Sequence, residues 1–196
     1  MSVAEKLQQI ADNQPKVYEA GRRDEQQDFW DCIQNKGGLA NYTYAFCYSR
    51  FDEKTYNPKY DIRCTQDTDS SSQGVFRGSI LTDTKVGIYA GNRNITNCFQ
   101  NSNLKTIRLL YVYDTTTFGS AFTGCDNLQD ITFGGTIGQN ISFSSSEKLT
   151  HDSLMSIIEH LGTVSSTRTL TLGSKNLAKL TDAEKAIATE KGWTLA

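Results

Sequence analysis

The first hydrophobic residues of the chain recur at the spacing of a narrow helical seam. Ser2 and Glu5 have the spacing of a capping box, in which each side chain satisfies a free N–H group, so a helix is predicted to begin at residue 2 or 3. The apolar positions that follow fit a heptad pattern. They are Val3, Leu7, Ile10 and Val17. A polar helix this short is marginal in water on its own, so these residues are predicted to be an oligomerisation seam.

Pro15 interrupts the seam. Inside a helix, proline removes one N–H, and its ring would clash with the carbonyl of Ala11. A kink or a break is therefore predicted at residues 12–14, with a second helix beyond it. Residues 1–36 are interpreted as a helical, coiled-coil-like stalk for oligomerisation or attachment.

Residues 37–75 form a connecting region rich in aromatic and polar side chains. Tyrosine and phenylalanine alternate with smaller residues over 42–46, which predicts a strand. The tyrosines of this region fit a glycan-binding or protein-binding surface, and sheet packing explains them equally well. They are Tyr42, Tyr44, Tyr48, Tyr56 and Tyr60.

In the second half of the chain, hydrophobic residues recur with a period of 23 or 24. The phenylalanines are Phe76, Phe99 and Phe122, and the leucines that follow them are Leu81, Leu104 and Leu128. In two units an asparagine precedes the leucine and an isoleucine follows three positions later, which is typical of a repeat with one short strand per coil. The predicted repeat core is Phe99, Leu104, Ile107, Phe122, Leu128 and Ile131. Residues 76–196 are therefore predicted to be a short leucine-rich-repeat-like solenoid, with the asparagines bonded to turn backbone between coils. The unit at Phe76 lacks the asparagine and is the weakest.

The last third of the chain adds helices to this pattern. Thr150 is predicted to cap a helix that runs to Leu161 and ends at a left-handed Gly162. Thr181 and Glu184 form a second capping box. Its helix is predicted to end near Lys191, and the flanking strands are predicted at 169–172 and 193–195. Strands that alternate with helices pair in parallel, so the fold class is α/β with a helical C-terminal cap.

Composition narrows the classes of partner. The 196 residues include 20 Lys and Arg against 22 Asp and Glu, a net charge of -2, which argues against a nucleic-acid partner. No apolar run approaches a membrane span, and the first ten residues lack the pattern of a signal peptide, so synthesis in the cytosol without a membrane partner is expected. The five cysteines contain no Cys-x-x-Cys pair and are interpreted as reduced and mostly buried.

No set of residues with catalytic or metal-binding spacing stands out. His151 and His160 are the only histidines, and nine positions on a helix place them on opposite faces, so they are not expected to share a metal. His160 is expected to bond to the negative end of its helix. The segment from Asp67 lacks the glycine and glutamate of a calcium loop, and the glycines at 134–138 are interpreted as turns between coils. A protein without catalytic residues, metal or cofactor is predicted.

Two resemblances add to this interpretation. The units at 98–107 and 121–131 resemble the BspA-type leucine-rich repeats of bacterial surface proteins, in which Ala-Phe, a Cys or small residue, Asn-Leu and Ile recur. The order of further segments resembles small proteins encoded among the tail and baseplate genes of phages and prophages of gut Firmicutes. These segments are Val3-Ala-Glu-Lys-Leu7, Lys16 to Gly21, Phe29-Trp-Asp31, Tyr44-Ala-Phe46, Pro58 to Asp61, Gly135 to Phe143 and Gly192-Trp-Thr-Leu195.

The second resemblance implies a bacteriophage virion structural protein at the tail tip or baseplate, made in the bacterial cytoplasm. It implies that the N-terminal helices attach to other virion proteins and form a homotrimer. The repeat domain would be an exposed head that contacts a host-surface glycan or protein. The alternatives are a capsid decoration or head-fibre protein, a bacterial cell-surface adhesin, and an enzyme on a solenoid scaffold. At Pro15 the sequence departs from the proteins that it resembles, in which the helix commonly continues, and this departure argues against a continuous coiled-coil stalk.

Overall fold

The structure is a computed structural model that describes residues 62–63, 75–90 and 94–196, with the backbone alone for 62–63. The predicted stalk at residues 1–36 and nearly all of the connecting region lie outside the described residues. The same holds for the predicted seam of Val3, Leu7, Ile10 and Val17, and for the five tyrosines between Tyr42 and Tyr60.

Seven strands and three helices make up the described chain. The strands are β1 (Ile62–Arg63), β2 (Ile88–Tyr89), β3 (Thr106–Val112), β4 (Asp130–Gly135), β5 (Ile141–Ser142), β6 (Arg168–Thr171) and β7 (Trp193–Leu195). The helices are α1 (His151–Glu159), α2 (Ser174–Leu177) and α3 (Asp182–Glu190).

All the strands pair in parallel, in two sheets of order β1-β2-β3-β4 and β5-β6-β7. Thr106 pairs with Asp130 and Ile107 with Ile131, so paired residues of these neighbouring strands are 24 positions apart in the chain. The turns are bonded at a similar separation in sequence. The N–H of Phe76 donates to the carbonyl of Cys98, and that of Phe99 donates to the carbonyl of Ala121. Each repeat is therefore bonded to the next through its own backbone.

A column of buried aromatic rings runs through these turns. Phe76 stacks on Phe99 with 5.8 Å between ring centroids, and Phe99 stacks on Phe122 at 5.6 Å. Phe122 lies 4.5 Å from Phe143, which continues the column by one member beyond the predicted repeat. The predicted core residues Phe99, Leu104, Ile107, Phe122, Leu128 and Ile131 are at most 1% exposed.

Polar side chains form a second column at the surface. The Nδ2 of Asn103 donates to the carbonyl of Ile80 at 3.4 Å, as predicted for an asparagine that bonds turn backbone. The Nδ2 of Asn127 instead donates to the Oδ1 of Asn103 at 2.6 Å, and Lys148 donates to Asn127. Lys148 occupies the asparagine position of the coil that begins at Phe143, which explains why this coil was missed in the sequence.

Helix α1 covers the outer edge of β4. The hydroxyls of Ser153 and Ser156 accept bonds from the N–H groups of Ile131 and Phe133, at 2.9 and 3.3 Å. A strand edge would otherwise present these N–H groups for pairing with another chain. The helix therefore occupies the place of a further strand.

The predicted caps of the two longer helices are confirmed. The Thr150 side chain accepts a bond from the N–H of Ser153, and Thr181 and Glu184 form the full capping box. Gly192 follows the C-cap of α3 with a φ of 88°. The predicted left-handed stop at Gly162 is wrong, because α1 ends at His160 and Gly162 donates its N–H to Ile137 in extended chain pairing.

The glycines at 134–138 were also interpreted incorrectly in part. Gly134 and Gly135 lie in β4 rather than in a turn. Gly135 has a φ of 104°, and a Cβ there would lie 2.0 Å from the carbonyl oxygen of Val112, so the neighbouring strand approaches too closely for a side chain. A strand can end on such a residue only if it is glycine.

Candidate binding groove

An irregularity in β3 creates the most distinctive surface of the described chain. Leu109 pairs with Phe133, but the next pair along joins Val112 to Gly135. Leu110 and Tyr111 thus lie opposite the single residue Gly134, which is the arrangement of a β-bulge. The extra residue changes which side chains face the core.

The bulge reverses the alternation of the strand. Ile107 and Leu109 are buried, so regular alternation would bury residue 111 as well. Instead Val112 takes the next core position at 3% exposure, and the ring of Tyr111 is turned outward and is 58% exposed. The backbone of Tyr111 is left-handed, with a φ of 54°, which is rare for a bulky residue.

The outward ring packs against a second tyrosine. Tyr89 on β2 and Tyr111 have ring centroids 4.6 Å apart, with 38° between their planes. Tyr113, two residues beyond Tyr111, is 40% exposed. Tyrosine is enriched at binding surfaces, because each side chain offers a large apolar face and a polar hydroxyl.

Beside these rings lies an open depression of about 650 Å³, called here the tyrosine groove. It is lined by Leu110, Tyr111, Val112, Tyr113, Asp114, Gly134, Gly135 and Thr136. The two glycines leave the backbone of β4 uncovered at this point. The volume falls within the range of about 300–1,000 Å³ typical of small-molecule sites.

Besides the hydroxyls of its two tyrosines, the polar side chains that line the tyrosine groove among the described residues are one carboxylate and one hydroxyl. Asp114 and Thr136 are both exposed, and Asp114 is the only Asp, Glu, Lys or Arg among the lining residues that the structure describes. The carbonyl of Asp114 accepts a bond from the Nε2 of Gln139, which ties this turn to the next coil. The groove is therefore mainly apolar and mildly acidic.

A second, smaller depression of about 380 Å³ lies over residues 117–119, 139–142, 169 and 171. Its lining is mostly hydroxyl and amide side chains, without an exposed aromatic ring: Phe118 is only 1% exposed. It offers hydrogen-bonding groups but little apolar surface for a ligand to cover.

The structure places the two histidines as the sequence predicted, apart from each other. The Nε2 of His151 lies 2.8 Å from a carboxylate oxygen of Glu184, and the Nδ1 of His160 lies 2.7 Å from the carbonyl oxygen of Ser156 in the last turn of α1. Each histidine has a structural partner. Among the described residues, no three His, Cys, Asp or Glu side chains form a group that could hold a metal.

Two cysteines lie in the described chain, Cys98 and Cys125, and both are buried free thiols. Burial raises the pKa of Cys125 to about 11, despite a hydrogen-bonding contact with Ser102. A thiol with so high a pKa stays protonated at neutral pH and is a poor nucleophile. Cys125 belongs to the packing between coils, where its thiol donates to the carbonyl of Phe99.

The sequence pattern did not identify the tyrosine groove. The composition of residues 42–60 indicates a tyrosine-rich surface there, whereas the structure pairs Tyr89 with Tyr111. One sequence feature does point to the groove: Tyr89 and Tyr111 are separated by 22 residues, which is close to the repeat period. Gly134 and Gly135 lie about one period after Tyr111. The bulge that turns Tyr111 outward has no signature of its own in the sequence.

No protein-family model, no curated protein and no solved structure matches this chain. No helix within the described residues has the length and apolar character needed to cross a membrane.

Proposed function

We propose that the protein is a non-enzymatic structural component of a bacteriophage virion, at the tail tip or baseplate, that contacts the host surface. In this proposal residues 76–196 are a leucine-rich-repeat-like solenoid, and the N-terminal helices form a homotrimer attached to other virion proteins. The placement in a virion comes from the resemblance of the sequence to small phage tail proteins.

One observation carries the binding part of the proposal, namely the exposed ring of Tyr111, which packs on half-buried Tyr89 and lines the tyrosine groove. A left-handed tyrosine costs stability, on the order of 1–2 kcal/mol. Strain of this kind concentrates at functional sites. An exposed apolar ring held at such a cost is well explained by a ligand that covers it.

The stacked repeats support the proposal that residues 76–196 form a solenoid. Backbone bonds join equivalent turns, and the phenylalanine column passes through four successive coils, from Phe76 to Phe143. The phenylalanine rings of successive coils pack on one another, as the hydrophobic residues of repeat proteins do. Such scaffolds hold residues from several coils in fixed register on one surface.

The location can be tested on particles. Purified virions of the phage or induced prophage that encodes the chain are analysed by mass spectrometry, and an antibody against residues 94–196 is used for gold labelling. Labelling at the tail end is expected. Labelling of the capsid would favour the decoration or head-fibre alternative, and absence of the chain from particles would contradict a virion role.

Attachment can be tested separately with the purified full chain. Binding to intact host bacteria is measured by sedimentation, with a protein of similar size and charge as the control. Saturable binding is expected. Failure to bind any host cells would contradict host contact while leaving a purely structural virion role in place.

A further inference from the structure

The chemistry of the tyrosine groove narrows the class of ligand. We infer that it binds a neutral hexopyranose unit of a glycan, with the sugar ring stacked on Tyr111 and its hydroxyls bonded to Asp114, Thr136 and the uncovered backbone of β4. This inference rests on the proposed function, because it names what the host-contacting site would recognise.

The distance between the rings excludes an enclosed cation. A group held between two aromatic faces needs a carbon contact distance of about 3.5–4.0 Å on each side, so the rings would have to stand roughly 7 Å apart or more. Tyr89 and Tyr111 are 4.6 Å apart and contact each other. They are too close to form a cage for a quaternary ammonium group. Tyr111 lines the groove and is the exposed ring against which a flat ligand can lie.

The carboxylate of Asp114 disfavours anionic ligands. Asp114 is the only Asp, Glu, Lys or Arg among the described residues that line the groove, so a phosphate, sulfate or carboxylate would meet a like charge there. A carboxylate accepts bonds from the hydroxyls of a neutral sugar, and the Thr136 hydroxyl can donate or accept. A neutral sugar matches both groups.

The backbone around the groove disfavours a peptide that adds as a strand. A peptide could extend the first sheet only at an open edge, and at β4 the N–H groups of Ile131 and Phe133 are already bonded to the serines of α1. What remains accessible is the outward face, with Gly134 and Gly135 forming its floor. The shape therefore suits a compact ring lying on that face.

Gly134 allows the groove to be filled without disturbing the backbone. A Cβ at residue 134 would meet its nearest atoms at 3.7 Å, which is ordinary van der Waals contact. Gly134→Leu is therefore expected to fold and to occupy the space beside Tyr111. Thr132→Leu, at an exposed position two residues earlier on the same strand, is the control because it places the same leucine side chain outside the groove.

A second variant removes the ring and retains the left-handed backbone. Asparagine is among the residues that tolerate this conformation best, so Tyr111→Asn is expected to fold while losing the stacking face. Far-ultraviolet circular dichroism and thermal melting confirm that each variant is folded. Loss of binding in both variants then cannot be attributed to misfolding.

The probes are maltose, lactose and the β-1,4-linked disaccharide of N-acetylglucosamine, titrated into the full chain and followed by calorimetry and tyrosine NMR signals. Glucose 6-phosphate is the anionic control. At least one neutral disaccharide is expected to bind with a dissociation constant of about 1 mM or tighter. Gly134→Leu and Tyr111→Asn are expected to weaken it by about tenfold or more, and Thr132→Leu to leave it within about twofold.

Two results would overturn the inference. One is no response to any neutral disaccharide up to about 10 mM, or equal binding of the anionic control. The other is that the Gly134→Leu variant still attaches to cells and that the disaccharides do not compete with this attachment. That result would leave the proposed function intact and assign attachment to another surface. Disaccharide binding without cell attachment would support the site and contradict host contact.

Discussion

At the scale of single residues, two adjacent glycines at the end of β4 have opposite tolerance for a side chain. Gly135 combines a φ of 104° with a Cβ position 2.0 Å from the carbonyl oxygen of Val112. Gly134 lacks both constraints and faces the open groove. The same substitution at both positions therefore distinguishes the effect of backbone strain on stability from the general effect of replacing a glycine.

Gly135→Ala is expected to lower the free energy of unfolding by at least about 2 kcal/mol, because the methyl group forces β3 and β4 apart and the backbone is strained. Gly134→Ala is expected to change it by less than about 1 kcal/mol. Urea denaturation of the two variants measures the difference. Equal stability of the two would show that β3 and β4 do not approach as described.

The residues of the groove also mark the limit of prediction from sequence. Alternation of apolar and polar residues indicates which face of a strand is buried, and it fits β3 up to Leu109. Beyond that point the bulge shifts the phase, so Tyr111 faces outward where strict alternation predicts a core position. The bulge depends on long-range pairing with β4, which a local pattern does not contain.

At the scale of elements, the features that depend on residues close in sequence are the ones that the sequence predicts best. The caps of α1 and α3 follow from hydrogen bonds within four residues, and Thr150 and Thr181 were identified from sequence for that reason. The end of α1 was mispredicted at Gly162 because it depends on pairing between Leu161 and Ile137, which are distant in sequence. The short helix α2 was not predicted, since its four residues carry no periodic pattern.

The capping box of α3 makes part of the stability depend on pH. Bonds from the backbone N–H and hydroxyl of Thr181, with a smaller contribution from His151, hold the pKa of Glu184 below its ordinary value. Since the folded pKa is the lower one, this stabilisation is present above the unfolded pKa of about 4.3 and is lost as pH falls through the folded value.

Glu184→Gln is therefore expected to be less stable than the parent chain at pH 7, and the difference is expected to shrink as pH falls below about 4. Thr181→Ala removes the other half of the box and is expected to cost about 1 kcal/mol. Melting temperatures from pH 7 to pH 3 test both. A difference for Glu184→Gln that grows toward low pH would contradict the assigned cause.

The phenylalanine column links the elements of successive coils. Phe122 is 1% exposed and lies between Phe99 and Phe143. Phe122→Ala is expected to lower the free energy of unfolding by about 3–5 kcal/mol, because it leaves a cavity and removes two ring contacts. Thr132→Ala, at an exposed strand position, is the control, and urea denaturation measures the stability of both variants. If both substitutions had similarly small effects on the free energy of unfolding, the packed column would be contradicted.

At the scale of the whole molecule, the proposed account joins a repeat scaffold to an exposed tyrosine groove. The scaffold follows from periodic hydrophobic residues, which are visible in the sequence. The groove follows from one bulge, two glycines and a paired tyrosine on the neighbouring strand. Function in this account depends on a local departure from the repeat.

The central claim is that the protein binds the host surface through this groove while attached to a virion. Its most direct test is an electron cryomicroscopy map of the intact particle, resolved well enough to place residues 94–196. We predict density for these residues at the tail tip or baseplate, with Tyr111 and Gly134 facing solvent. A map in which the groove is buried against another virion protein, or which places the chain inside the capsid, would contradict the account.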